Sequence, residues 1–166
     1  MAAIQVIRLT EADWRTFAAL RLRALAESVG TDDAQYVSEV EYSGTQWRRR
    51  LRAHAQFAVS EDDRLLGLIG AQRASAQSVY LYSLWTDPAA RRRGVARTLL
   101  SAAVDWAREQ RVRTVTLRVD PMNVAAHNAY IGLGFTFDPS GASTSSAARG
   151  RPPQSEDEVT MTLVLS

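Results

Sequence analysis

The stretch from Ser78 to Leu100 constrains the fold more than any other part of the chain. A run of β-formers, S-V-Y-L-Y-S-L-W-T over 78–86, reads as a strand that ends at Asp87-Pro88. Arg91-Arg92-Arg93-Gly94-Val95-Ala96 then leads into an amphipathic helix with Val95, Leu99, Leu100, Ala103 and Trp106 on its apolar face. Three arginines ahead of a helix oppose its own field, because a helix N-terminus carries about half a positive charge and favours acidic residues. A docked anion would remove the conflict. First-turn N–H groups, a glycine that permits close approach and flanking guanidinium groups suit a phosphate or pyrophosphate. A solvated basic turn fits the same six residues, and the segment alone leaves both readings open.

The rest of the chain supplies the partners for this unit. Ile4 to Leu9 alternates as a short strand, and Thr10-Glu11-Ala12-Asp13 forms a capping-box variant. Trp14, Phe17, Leu20, Ala24 and Leu25 recur at helical spacing, which predicts a helix to about Ser28. Gly30 to Ser43 reads as a polar loop holding Asp32, Asp33, Glu39 and Glu41, and a second helix is predicted from about Thr45, with Trp47 and Leu51 on one face. Strands are predicted over 57–60 and 65–71, joined by the acidic turn Glu61-Asp62-Asp63, and over 112–119. Asp120-Pro121 opens a short helix to about Leu133, capped by Gly134. Two further strands follow, 135–137 and 159–165. Pro139 to Glu158, rich in Gly, Ser, Ala and Pro, reads as a mobile surface loop. The pattern predicts one α/β (α+β) domain over 1–166, with a central mixed sheet and about four helices.

Composition narrows the chemistry. The chain has 166 residues and no cysteine, which removes disulfides, thiolate metal sites and a cysteine nucleophile. With only His54 and His127, no metal site is expected, and His127 is read as a surface residue. All 20 basic residues are arginine, so no lysine can form a Schiff base or accept an acyl group. No apolar run approaches the roughly 18 residues of a membrane span, and no secretory signal is visible; a cytoplasmic protein with no membrane contact is expected. The second arginine run, Arg48-Arg49-Arg50 with Arg52, falls late in its helix, where cations suit the dipole. With a net charge of only +2 and no interleaved aromatics, no nucleic-acid partner is expected.

Arg91, Gly94 and Ala96 match the Gln/Arg-x-x-Gly-x-Gly/Ala acyl-CoA motif, and the segment resembles that of the GNAT superfamily of N-acyltransferases. Some 30 residues later, Asn123-x-x-Ala126-x-x-x-Tyr130-x-x-x-Gly134-Phe135 resembles the family's second signature, and the strand order agrees over nearly the whole chain. The resemblance implies a mostly antiparallel mixed sheet splayed between its fourth and fifth strands, 78–86 and 112–119. It implies acetyl-CoA as co-substrate: backbone groups of Leu84, Trp85 and Thr86 on the pantetheine arm, and N–H groups over Arg92, Arg93, Gly94, Val95, Ala96 and Arg97 on the pyrophosphate. The side chains of Arg91, Arg92 and Arg93 would screen phosphate charge. Asn123 is by itself an N-cap; the resemblance implies an added cofactor contact. Tyr130, two helical turns on and by itself a core residue, becomes the general acid for the departing thiolate.

The implied reaction moves an acetyl group to a primary amine, of a small molecule or a peptide N-terminus, by direct attack. Glu39 and Glu41 are the acidic candidates for base or amine binding, or else solvated loop carboxylates. A non-catalytic acyl-CoA-binding or sensor module is the alternative. Homodimers are common among the proteins that the chain resembles, often formed through the last strands, though the sequence itself shows no interface.

Overall fold

Thr10 ends the first strand and opens the first helical turn as its side chain dictates. Its backbone N–H and its hydroxyl both donate to the Asp13 carboxylate, at 2.8 and 3.1 Å. The structure, a computed structural model, describes residues 3–137 and 158–165. Along the chain run β1 (Gln5–Leu9), α1 (Trp14–Ser28), α2 (Ala34–Val40), α3 (Gly44–Ala53), β2 (Ala55–Glu61), β3 (Arg64–Arg73) and β4 (Ser78–Thr86). There follow α4 (Val95–Glu109), β5 (Thr114–Val119), α5 (Val124–Gly132), β6 (Thr136–Phe137) and β7 (Val159–Val164). The hydrogen-bonded order of the seven-stranded sheet is β1-β2-β3-β4-β5-β7-β6. Among the described residues no helix is long and apolar enough to cross a membrane. The loop expected over 139–158 lies outside the described residues save for Glu158.

One helix went unread. The segment expected to be a polar loop contains α2, which brings the described α-helices to five, where about four were expected. The Asp33 carboxylate caps it, accepting the Gln35 N–H at 2.8 Å. The helix is two turns long and its one buried residue is the charged Glu39, so it has no apolar stripe to read.

The contacts divide the chain into two compact units, one of residues 1–70 with 83–102, the other of residues 71–82 with 103–166. The first is built around Leu9, Phe17, Leu20, Ala24, Trp47, Leu51, Ala58, Leu68 and Trp85. Trp47 stands edge-on to Phe17, with centroids 5.5 Å apart, and to Tyr42, at 5.1 Å. Three of the four arginines of α3 are occupied within this unit: Arg52 pairs with Glu11 at 2.8 Å, Arg50 with Glu39 at 2.8 Å, and Arg48 lies over the Trp14 ring.

Gly67 on β3 allows the backbone of β4 to come close. A Cβ there would stand 2.6 Å from the Trp85 carbonyl oxygen, with Val95 and Leu99 side chains at 3.0 and 3.2 Å. The first neighbour is backbone and cannot rotate away. Gly67→Ala is therefore expected to cost about 1–3 kcal/mol as overpacking, read as a lower melting temperature at roughly 2–4 °C per kcal/mol. An unchanged melting temperature would show that the two strands separate freely at this point.

In the second unit β5 is the central strand, and its burial alternates residue by residue, with Val115, Leu117 and Val119 inward. It pairs antiparallel with β7 along its whole length, from Thr114↔Val164 to Val119↔Val159. Its parallel pairing with β4 covers only Ser78↔Thr114, Val79↔Val115 and Tyr80↔Thr116, although β4 continues to Thr86 and β5 to Val119. Among the described residues this pairing ends at Tyr80 and Thr116, between the two strands where the resemblance implied a splay. His127 is not the surface residue expected. It is half-buried, its ring lies edge-on to Phe137 at 5.1 Å, and its Nε2 is shielded without a hydrogen-bond partner among the described residues.

Candidate functional site

The basic bend is a built structure. Asp87 ends β4 by donating its N–H to the Leu66 carbonyl at 2.8 Å, and its carboxylate accepts the Ala89 N–H at 2.9 Å to start the single turn Pro88–Ala90. That N–H, then the charges of Arg23 and Arg64, holds the Asp87 carboxyl below its ordinary pKa. Beyond Arg91 the backbone is left-handed twice, at Arg92 (φ +67°) and Gly94 (φ +78°). The arginine adopts this region at a cost of roughly 1–2 kcal/mol, whereas glycine does so freely. The helix's own bonding starts with the Thr98 N–H on the Gly94 carbonyl at 3.0 Å. The N–H groups of Val95, Ala96 and Arg97 precede any helical acceptor and have no hydrogen-bond partner among the described residues. A Cβ built on Gly94 would meet nothing within 4 Å among the described residues, so the bend is open on that side of the glycine. Donors, dipole and open space fit a phosphate group.

The three arginines are not equivalent. Arg91 pairs with Glu27 at 3.2 Å and donates through Nε to the Thr86 carbonyl at 3.3 Å. Arg93 pairs with Glu61, whose carboxyl that contact holds below its usual pKa. Among the described residues no ion pair forms at Arg92 or Arg97, and both residues lie at the surface of the bend and the first turn of α4. The conflict between cations and helix field is thus relieved in part by the chain's own carboxylates. Glu27 also accepts the Trp85 indole N–H at 2.7 Å, fastening the end of β4 to α1.

Upstream of Leu84, Trp85 and Thr86, β4 carries a left-handed residue, Ser83 (φ +58°). The Ser83 Oγ accepts from the Arg21 guanidinium at 3.0 Å. Arg21 also donates to both oxygens of Glu39, at 3.1 and 3.2 Å, and Arg50 donates to the same carboxylate at 2.8 Å. Burial alone would raise the Glu39 pKa. The hydrogen bonds and charge of Arg21, with the charge of Arg50, outweigh it and hold the carboxyl below its ordinary value. Glu39, expected as an exposed loop carboxylate, is instead a buried helical one 3% exposed, with both oxygens occupied. A carboxylate of lowered pKa is a weak base. Glu41, just past the end of α2, is exposed.

In the second unit the Asn123 side chain accepts the Ala126 N–H at 3.2 Å and so caps α5, which uses the oxygen that a cap requires. Tyr130 is 7% exposed, with its ring 6.1 Å from that of Phe135. Burial pushes its phenol pKa up to about 12, so the hydroxyl stays protonated.

The model of the Acetyltransferase (GNAT) family matches residues 11–135, from the first helical turn to the residue before β6. The chain belongs to the GNAT acetyltransferase family. Its fold is similar to that of the PaiA N-acetyltransferase from Thermoplasma acidophilum, solved with coenzyme A (15% identity, 98% of this chain and 99% of that one, TM-score 0.71). It is also similar to a GNAT-family acetyltransferase from Staphylococcus aureus (18%, 99% and 100%, 0.72). A third similar structure is the ribosomal-protein-S18-alanine N-acetyltransferase from Escherichia coli (21%, 99% and 95%, 0.68). No match exists among curated proteins.

Sequence reasoning missed Arg21, Glu27 and Ser83. Arg21 carried a signal: it shares the buried face of α1 with Phe17, Leu20, Ala24 and Leu25, where a solvated arginine has no place. Ser83 carried none, since a serine within a run of β-formers says nothing about its φ.

Proposed function

We propose that this GNAT-family protein transfers an acetyl group from acetyl-CoA to a primary amine. The observation that carries the reading is the left-handed Gly94 at the start of α4, open on its Cβ side, with three first-turn N–H groups that have no hydrogen-bond partner among the described residues. In this reading the N–H groups from Arg92 to Arg97 hold the pyrophosphate, and the side chains of Arg92 and Arg97 neutralise it. The backbone of Leu84 to Thr86 pairs with the pantetheine amides as an added strand would. An N–H of Trp85 or Thr86 polarises the thioester carbonyl.

The neutral amine attacks the acetyl carbon; the C–N bond forms, the C–S bond breaks and the electron pair leaves on sulfur. The amine must first lose a proton, because an ammonium has no lone pair to attack with. Glu41 is the carboxylate assigned to attract a cationic amine and relay its proton through water, since Glu39 is spent on Arg21 and Arg50. Tyr130 donates a hydrogen bond to the departing sulfur. A phenol at about 12 is a weaker acid than a thiol near 8.5, so it passes its proton to sulfur only as it takes up the one that the attacking nitrogen sheds when the tetrahedral adduct collapses to the amide. Asn123 adds a contact to the cofactor through the amide nitrogen that its cap leaves over.

The direct test is a screen of amino acids, polyamines, aminoglycosides and short peptides with acetyl-CoA, read as release of free thiol. Turnover with any amine supports the reading; tight coenzyme A binding without turnover favours a binding module. Gly94→Ala tests the observation itself. A Cβ at φ +78° distorts the bend, so coenzyme A affinity is expected to fall by about tenfold or more, equal to roughly 1.4 kcal/mol, with a melting temperature lower by about 2–8 °C from the left-handed strain. Unchanged affinity by calorimetry would place the diphosphate elsewhere.

A further inference from the structure

We infer that Arg21 is a positioning residue for acyl transfer, holding Ser83 in its left-handed conformation so that the N–H groups of Leu84, Trp85 and Thr86 keep their aim. The inference rests on the acyl-transfer reading above and names a device that serves it. Three observations converge. Ser83 is the only residue within β4 with a positive φ, and a non-glycine residue stays there when its surroundings hold it. Its hydroxyl is held by the Arg21 guanidinium, at 3.0 Å. Arg21 is itself held rigidly: it is 5% exposed, and its Nε and second terminal nitrogen grip both oxygens of Glu39, which Arg50 steadies from the other side.

The cluster is costly. Two guanidinium groups share one carboxylate in the interior of the first unit, so one positive charge is left over, and the remaining terminal nitrogen of Arg21 is turned on Ser83. Buried ion clusters are poor contributors to stability, and their best-attested use is to specify a conformation. The conformation specified here lies immediately before the backbone groups assigned to the thioester. A left-handed residue in a strand re-aims the residues beyond it, and such kinks gather beside active sites. The guanidinium thus supports the reacting geometry through the main chain, without touching the substrate.

The test uses Ser83→Ala in the full chain, which removes the acceptor and leaves the Arg21–Glu39–Arg50 cluster whole. Amide hydrogen exchange at Leu84, Trp85 and Thr86 is expected to quicken by about tenfold, as a locally loosened segment does. With acetyl-CoA and an amine found by the thiol screen, kcat is expected to fall by about tenfold, while coenzyme A affinity, set mainly at the α4 bend, changes by less than about threefold. Ser83→Gly, which adopts a positive φ freely, is expected to keep more activity than Ser83→Ala. Parental exchange in Ser83→Ala overturns the inference, as does parental kcat, or a glycine variant slower than the alanine one. If the parent protein acetylates nothing, the acyl-transfer reading has failed, and the exchange measurement still decides whether Arg21 holds the strand.

Discussion

Tyr130→Phe is expected to lower kcat by about 100-fold, the low end of what a positioned proton donor supplies, and to leave coenzyme A affinity essentially unchanged. The substitution deletes one hydroxyl from a ring already packed against Phe135 and buried, so the fold has no reason to move. The loss should fall on kcat and kcat/KM alike, because the hydrogen bond strengthens as negative charge gathers on sulfur. The pH dependence is a second check. The phenol keeps its proton until the pH nears 12, so Tyr130 itself gives no alkaline limb at lower pH. An alkaline limb that vanishes in the phenylalanine variant, at a pH well below that, would mean that the hydroxyl is less shielded than its burial implies. A parental kcat would take Tyr130 out of the chemistry and return it to the core role that its sequence position alone suggested.

Glu39→Gln is expected to be the most damaging single change to stability. It leaves the guanidinium groups of Arg21 and Arg50 facing a neutral amide in a site where the side chains of Arg21 and Glu39 are 6% and 3% exposed. Removing one member of a buried pair costs about 3–5 kcal/mol, which in a chain of this length lowers the melting temperature by on the order of 10 °C. The same carboxylate gives the parent protein an acid limit. Its folded pKa lies below its unfolded one, so its contribution is whole above the ordinary glutamate range near 4.3 and is lost as the pH falls through the folded value. Denaturation midpoints taken downward from pH 7 should therefore weaken below about pH 4 in the parent, and that part of the slope should be missing in the glutamine variant. Equal melting temperatures for the two proteins would show the cluster to be hydrated.

Much of the architecture was legible because it is written in local code. The Thr10 capping box, the apolar stripe of α4, the β-rich run that becomes β4 and the alternation of β5 each report a short-range preference that packing reinforces. The bend was legible for the same reason: a basic cluster, a glycine and a helix start are adjacent in the chain. The features that escaped were non-local. α2 shows no stripe because the residue it buries is a carboxylate, and a carboxylate is buried only where distant cations wait for it. His127 at helical spacing says nothing of Phe137, ten residues on.

By itself the sequence determined the family, the order of nearly all the elements and the place of the basic bend, since each depends on residues within a turn or a strand of one another. Only the tertiary structure decided how charge is distributed: Glu27 and Glu61 take up Arg91 and Arg93, while Arg92 and Arg97 enter no ion pair among the described residues. It alone turned Glu39 from a surface acid into the centre of an ion cluster linked through Arg21 to Ser83. Coulombic partners act through space over a few ångströms, and residues 18, 11 and 62 positions apart become neighbours only once the chain has folded.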